Sequence, residues 1–280
     1  MIHVQKEVQG VDREEKLSML KDILKDMKSV IVCFSGGVDS TFLLQVGSDV
    51  LKDRIMAVTA SSSTFPHREM NEAVAFAKKL NVNHMVIKSE ELEIDGFYKN
   101  PKNRCYYCKK ELFSKILEIA HEKGFKNVVD GANADDTGDY RPGMMAAREL
   151  GVRSPLLEAG FTKNDIRALS KKMGLPTWNK PSFACLSSRI PYGQEITSKK
   201  LHMIDAAEQY LLDLGFRQVR VRHHGDIARI EVAPEERQKF FDEKIMDDVA
   251  SKLRSIGFNY VTLDLNGYRT GSMNEVLNGK

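Results

Sequence analysis

Apolar positions first recur at helical spacing at Leu17, Leu20, Ile23, Leu24 and Met27. Residues 13 to 28 are therefore predicted to form an amphipathic helix whose apolar stripe packs on the elements next in the chain. Short continuous apolar runs then alternate with helical periods: SVIVCF as a strand, STFLLQVGSDVL as a helix, IMAVTA as a strand, HREMNEAVAFAKKL as a helix and NHMVIK as a strand. A helix over about 107 to 123, the strand NVVDGAN and a last helix over 163 to 173 extend the series. Strands apolar on both faces and joined by helices predict a parallel sheet covered on both sides, with ligands at the carboxyl ends of its strands. The predicted class is α/β, a doubly wound parallel sheet.

Pro191 and Gly193 in SSRIPYG interrupt this pattern, and a new helix is predicted from about Thr197. The boundary is placed there: residues 1–193 as the α/β domain and 194–280 as a smaller α+β domain. The latter reads helix, strand, strand, helix, strand. LLDLGFRQVRVR and LRSIGFNYVTLD each end a helix at Gly-Phe before a strand, which suggests two related halves.

With 42% hydrophobic and 29% charged residues, the 280-residue chain has neither a disordered nor a fibrous composition. A net charge of +3 is too small to imply general nucleic-acid binding, though local cation clusters could hold a small anion. MIHVQKEVQGVDREEK lacks an apolar signal core, and no run approaches the roughly 18 apolar residues of a membrane span. A cytoplasmic protein without a membrane partner is expected. In such a reducing compartment the four cysteines point to metal or catalytic chemistry rather than a disulfide scaffold.

Between the first strand and the next helix lie Ser35, Gly36, Gly37, Val38, Asp39 and Ser40. A loop in this setting aims backbone NH groups and the positive end of a helix dipole at one point, where an anion binds. The glycines permit close approach and unusual backbone angles, the serine hydroxyls can donate to phosphate oxygens, and Asp39 offers a carboxylate to Mg2+. The Gly-Lys-Ser/Thr ending of a Walker A loop is missing, and the stretch is not GxGxxG. SGGVDS resembles the PP-loop of N-type ATP pyrophosphatases. That resemblance implies an adenine nucleotide α hydrolase-like fold, cleavage of ATP between its α- and β-phosphates, and adenylation of a substrate carbonyl oxygen. It also implies that Ala60 and Ser61 in AVTASS hold the adenine edge through their main chain. Gly131, Asp135 and Asp136 in DGANADD should approach the nucleotide, with a solvated acidic loop as the alternative of nearly equal weight.

Cys33, inside its strand, reads as a small buried residue. Cys105 and Cys108 in NRCYYCKKELF and Cys185 in KPSFACLSSRIPYG are expected on loops over the carboxyl edge of the sheet. A structural zinc needs a fourth ligand, and His121 lies roughly three to four helical turns beyond Cys108. A thioredoxin-like pair would follow a first strand, which this one does not. Three thiolates can instead hold a [4Fe-4S] cluster with one iron open to a sulfide. Adenylation makes a carboxylate oxygen a leaving group, so a sulfur nucleophile can displace AMP and leave a thiocarboxylate.

FSGGVDSTFLL, NRCYYCKKELF, DGANADDTGDYRPG, TWNKPSFACLSSRIPYG, VRVRHHGDIARIEV and LDLNGYRTGSMN together resemble the LarE family over nearly the whole chain. The resemblance implies an ATP-dependent sulfurtransferase that converts pyridinium-3,5-biscarboxylic acid mononucleotide toward its bisthiocarboxylic form for nickel-pincer nucleotide synthesis. Some members convert one cysteine to dehydroalanine; others, with three cysteines, carry a [4Fe-4S] cluster and use an extra sulfide from a donor. The pattern Cys105, Cys108, Cys185 resembles the second group, since the sacrificed cysteine aligns with Ala184. Asp39, Cys185 and Arg189 are then the implied catalytic residues, Arg189 offsetting negative charge. Ser188, Arg220, Arg222 and Arg269 are implied at the substrate, the arginines around its phosphate.

Alternation puts Arg220 and Arg222 on one strand face opposite Val219 and Val221, where two guanidinium groups could fork a phosphate or simply meet solvent. Glu208 and Glu231 could hold a divalent ion between subunits, but salt bridging is the favoured role. Family analogy suggests a hexamer. The rivals are a tRNA thiolase and a non-catalytic nucleotide sensor with a redox cluster. No zinc-ribbon pairs or long basic stripe support the first, so no nucleic-acid partner is expected.

Overall fold

A computed structural model describes residues 12–138, 142–181, 184–269 and 272. Outside the described residues lie the N-terminal 1–11, residues 139–141 of the acidic-loop motif, residues 182 and 183 just before Ala184, and most of the C-terminal GSMN stretch. The chain packs as two compact units. The first comprises residues up to Ser62, His67–Ser89 and the residues from Asn103 to the end of that block; the second comprises Ser63–Pro66, Glu90–Lys102 and the residues from Ala184 onward.

In the first unit, β1 (Val30–Cys33), β2 (Ile55–Ser61), β3 (Asn83–Lys88) and β4 (Asn127–Val129) form a parallel sheet in the order β3-β2-β1-β4. Its helices are α1 (Arg13–Met27), α2 (Val38–Leu51), α3 (His67–Lys79), α4 (Arg104–Glu122), α5 (Pro142–Glu149), α6 (Pro155–Glu158) and α7 (Lys163–Lys172). Because side chains alternate along a strand, β1 feeds two cores. Val30 and Val32 pack with Leu20, Leu24, Phe42, Leu43, Phe76 and Leu169. Ile31 packs on the other face with Met56, Val58, Phe113, Ile116 and Ala147. Both faces are covered, which makes the sheet doubly wound.

Three elements depart from the sequence pattern. Helices α5 and α6 are too short to declare a period, and α4 begins at Arg104 rather than near residue 107. Nothing in RCYYC breaks a helix, so the first turn simply extends back to Asn103 as its cap.

Asp165 is the less exposed of two carboxylates that fasten α1 to α7, the other being Glu14 in its pair with Lys172. Asp165 accepts from Arg13 Nε at 3.0 Å and Lys16 Nζ at 2.8 Å, while completing a capping box with Thr162 at the start of α7. Burial pushes its carboxyl up, but the bonds from Lys16, Thr162 and Arg13 outweigh burial and hold it well below the usual range.

In the second unit, β5 (Val219–His224) pairs antiparallel with β6 (Ile227–Val232), which pairs parallel with β7 (Tyr260–Leu263). α8 (Ser198–Asp213) and α9 (Glu243–Ile256) supply Met203, Ala207, Leu211, Val249 and Leu253 to a core with Val219, Val221, Ala228, Ile230 and Val232. The order helix, strand, strand, helix, strand is the one predicted. The stretch from Ala184 joins this unit because Asn100 holds it: the Asn100 amide donates to the carbonyls of Ile190 at 3.1 Å and Pro191 at 2.8 Å, and Gly193 N–H returns a bond to Asn100. Among the described residues no helix is long and apolar enough to cross a membrane.

Replacing Asp165 by Ala leaves Lys16 buried without its partner and is expected to cost about 3 kcal/mol in urea unfolding at pH 7. Since the folded carboxyl is held low, its contribution is present above the ordinary Asp value of about 4 and is lost as the pH falls below it. The gap between parent and variant should therefore narrow with acidification below that value.

Candidate active site

β1 stops at Cys33, and the chain turns through Ser35–Gly37 into α2. Gly36 adopts φ +68°, and a Cβ there would sit 3.0 Å from the Cβ of Ala73 on α3, so both conformation and space require glycine. Ser35 Oγ and Ser40 Oγ lie 3.1 Å apart; Ser40 Oγ accepts from Ser35 N–H and donates to the Gly37 carbonyl at 3.3 Å. Val38 is buried as the first helical residue and anchors the turn. Two hydroxyls and the amides of a helix N-terminus thus converge as an anion cradle.

Gly131 follows β4, and a Cβ on it would come 3.1 Å from the Ser40 amide nitrogen. The acidic loop can pass close to the cradle only because this residue is glycine. Next along that loop, Asp135 Oδ2 accepts from Lys163 N–H at 2.8 Å, and Asp136 Oδ2 accepts from Asn133 N–H at 3.0 Å. Lys163 Nζ in turn pairs with Asp39 Oδ2. The other oxygen, Asp39 Oδ1, is buried without a hydrogen-bond partner. Burial raises the Asp39 carboxyl above its usual range, Lys163 opposes that, and nearby Asp136 adds to it. A carboxylate in this state is short of one cation, so Asp39 fits a Mg2+ ligand.

Ala60 and Ser61 extend β2 past Val58, the last residue in register with β1, and pair only with Ile87 and Lys88 of β3 among the strands. Their main chain therefore stands at the carboxyl edge. Lys180 braces the cradle from outside, bonding Glu69 at 2.7 Å and donating to the Gly36 carbonyl at 3.3 Å.

The cysteines separate into distinct settings. Burial pushes the Cys33 thiol up to about 12, which makes it an inert core residue. Cys105 and Cys108 lie on α4, not on a loop as expected, and their spacing puts them on one helix face, Cys105 exposed and Cys108 half-buried. Cys185 belongs to the second unit and caps a short 3-10 helix, Leu186–Arg189. Among the described residues no group of three His, Cys, Asp or Glu side chains stands together as metal ligands.

Arg189 is fully buried. It forms a bidentate pair with Glu208, both contacts at 2.8 Å, and its Nη1 donates to the carbonyls of Ala184 at 2.6 Å and Cys185 at 3.0 Å and to Ser188 Oγ. Burial disfavours both charges, and their mutual attraction prevails, raising the guanidinium and lowering the carboxyl. This arginine shapes the Cys185 loop rather than facing a ligand. Glu208 also accepts Val221 N–H at 2.9 Å, so the salt-bridging role describes it.

Arg220 and Arg222 are buried rather than solvated. Arg222 pairs with both oxygens of Glu231 at 3.0 and 2.8 Å and donates to the Ser188 carbonyl at 2.9 Å and to Ser272 Oγ. Glu231 also takes Arg229 at 2.8 Å. Arg220 stacks 5.1 Å over Tyr268, and burial together with Arg189 pushes its guanidinium down to about 10. Arg269 is half-exposed beside Asp264. Ser188 is thus held by two guanidinium groups, Arg189 at its hydroxyl and Arg222 at its carbonyl.

Lys163 and Lys180 were not singled out from the sequence, and for Glu208 salt bridging was expected but not its partner, Arg189. The helix expected over 163 to 173 does put Lys163 at its start, but no local signal reports that this start reaches Asp39.

A strand, an SGGVDS turn and a helix at the carboxyl edge of a parallel sheet, with an acidic loop closing on it, define an ATP-using PP-loop domain. The NAD synthase family model matches residues 14–116. The chain is 44% identical, over 94% of its length and 95% of the relative's, to the pyridinium-3,5-bisthiocarboxylic acid mononucleotide synthase of Lactiplantibacillus plantarum. It is 42% identical to an uncharacterized Synechocystis protein over 94% of this chain and 98% of that one. It is 31% identical to a Methanocaldococcus jannaschii protein, also uncharacterized, over 91% and 98%. The chain belongs to the LarE family, enzymes of the PP-loop sulfurtransferase group.

Two substitutions probe the geometry. Glu208→Ala strands Arg189 in the core and should destabilise the protein by about 3–5 kcal/mol in denaturant titration. Lys163→Met removes a cation at the cradle and should weaken Mg-ATP binding about tenfold or more by titration calorimetry. Unchanged affinity would mean that Lys163 only neutralises Asp39.

Proposed function

We propose that this enzyme uses ATP to adenylate a carboxylate of pyridinium-3,5-biscarboxylic acid mononucleotide and then replaces the activated oxygen with sulfur, in nickel-pincer nucleotide synthesis. The observation that carries the reading is the Ser35–Ser40 cradle with the partnerless Asp39 Oδ1 buried at its helix start. The likeness to the Lactiplantibacillus synthase over nearly the full length of both chains supports the choice of substrate.

Ser35, Ser40 and the amides of the turn bind the departing pyrophosphate, and their fixed dipoles oppose the charge that develops on it. Asp39 would hold a Mg2+, with Asp136 nearby; when bound, the ion neutralises phosphate charge. The substrate carboxylate attacks the α-phosphorus, and the bond to the β-phosphate bridging oxygen breaks. A sulfur nucleophile then forms a carbon–sulfur bond as the acyl–oxygen bond breaks and AMP leaves. Ala60 and Ser61 hold the adenine edge. Arg220, Arg222 and Arg269, with Ser188, bind the phosphate of the mononucleotide, in keeping with the bond from Arg222 to the Ser188 carbonyl. The enzyme works as a cytoplasmic homo-oligomer, a hexamer by family resemblance.

Sulfur delivery is assigned to the thiols outside the core, Cys105, Cys108 and Cys185. A [4Fe-4S] cluster on these three is the second reading, in keeping with the Cys105 and Cys108 pair on one face of α4. Iron and sulfide analysis after anaerobic purification, with intact mass after turnover, separates the cases. Loss of one hydrogen sulfide from Cys185 marks self-sacrifice, an unchanged mass without iron marks a relayed sulfur, and bound iron and sulfide would establish the cluster.

AMP and pyrophosphate should appear only when the pyridinium substrate is present, and Asp39→Asn should abolish both. Formation of ADP would overturn the reading of the loop.

A further inference from the structure

Phe34 is the residue from which the phosphate-binding turn departs. Its N–H still donates to the Val58 carbonyl at 2.8 Å, but it lies beyond the end of β1. Its carbonyl is held by a side chain: Thr59 Oγ1 donates to Phe34 O at 2.8 Å. On the far side of Thr59, His84 Nε2 stands 2.9 Å from the same hydroxyl. Thr59 is 1% exposed, so its bond to the Phe34 carbonyl is shielded from solvent, while His84 is half-buried.

A hydroxyl has one proton and two lone pairs. The Thr59 proton is committed to the Phe34 carbonyl, so His84 must donate, which selects the tautomer protonated at Nε2. Burial lowers the His84 ring's proton affinity and keeps it neutral. The ring also packs edge-on against Phe34, with centroids 6.2 Å apart and planes at 83°. The same peptide group links both ends of the turn: Ser35 N–H donates to Ser40 Oγ at 3.3 Å. The peptide between Phe34 and Ser35 is thereby fixed by its carbonyl through Thr59 and by its N–H through Ser40.

We infer that Thr59 and His84 are positioning residues of the nucleotide site: a relay from His84 through the Thr59 hydroxyl to the Phe34 carbonyl sets the orientation of the peptide that presents Ser35 to the phosphates. The relay touches no reacting atom and spans three neighbouring strands, from β3 through β2 to the end of β1. It presents the Ser35 hydroxyl ready-oriented, so its loss loosens nucleotide binding before it affects the chemical step. The inference rests on the nucleotide-binding reading for its ATP arm alone.

The test uses the full chain with Thr59→Val, Thr59→Ser, His84→Phe and His84→Gln. Valine keeps the shape of threonine without its hydroxyl, and glutamine places an amide donor near the position of Nε2. Two quantities are read: KM and kcat for ATP, and the hydrogen-exchange rate of the Ser35 amide without nucleotide. Thr59→Val and His84→Phe should raise KM for ATP about tenfold and speed Ser35 exchange by a similar factor, leaving kcat within about twofold. Thr59→Ser and His84→Gln should restore both. Equal KM and exchange in Thr59→Val and the parent would overturn the inference, as would losses that serine and glutamine fail to rescue or a fall in melting temperature without a change in exchange. If the parent itself turned over no ATP, the functional reading would fail, and the exchange arm would still decide this one.

Discussion

The backbone at Gly36 must turn at φ +68° while pressed against Ala73, with Gly131 closing within contact distance of Ser40 from the other side. Everything else in the first unit serves that constraint. The parallel sheet ends β1 at the turn, α2 begins with its amides aimed there, and α3 and β4 bring the two surfaces that leave no space for a side chain. A turn so confined has its donors in place before the nucleotide arrives, which is the condition under which dipoles stabilise developing charge most effectively. Asp39 is the counterpart in charge. Its carboxylate is buried with one oxygen given to Lys163 and one left over, an arrangement that a divalent cation completes.

The second unit handles charge differently. Arg189 and Arg222 are each locked to a glutamate, and their remaining donors hold main-chain carbonyls of the Ala184–Ser188 stretch. Buried ion pairs contribute little net stability compared with apolar packing, but breaking one partner away is costly. Their service here is to fix the shape of a loop that has few apolar residues to do so, and Cys185 is positioned as a consequence. Arg220 keeps its charge under strain from burial and from Arg189, which suits it to meet an anion.

The sequence disclosed what is local. β1, β2 and β3 announced themselves as apolar runs, α1 by its stripe, and the turn by Ser-Gly-Gly-Val-Asp-Ser, because each is specified by neighbours in the chain. Cys33 likewise read as core. Contacts across long separations were silent: Lys163 reaching Asp39, Asn100 drawing the Pro191 stretch into the second unit, and Glu208 clasping Arg189. Alternation placed Arg220 and Arg222 on one face but could not tell what covers that face, so their burial was invisible. The loop expected around Cys105 is helix because aromatic and basic residues there carry no breaker.

The central claim is that a substrate oxygen attacks the α-phosphorus of ATP held by this turn. Labelling the carboxylates of the pyridinium substrate with 18O and examining the nucleotide product by mass spectrometry tests it directly. The account predicts AMP carrying one 18O atom for each sulfur introduced. Unlabelled AMP, or ADP with inorganic phosphate, would contradict it.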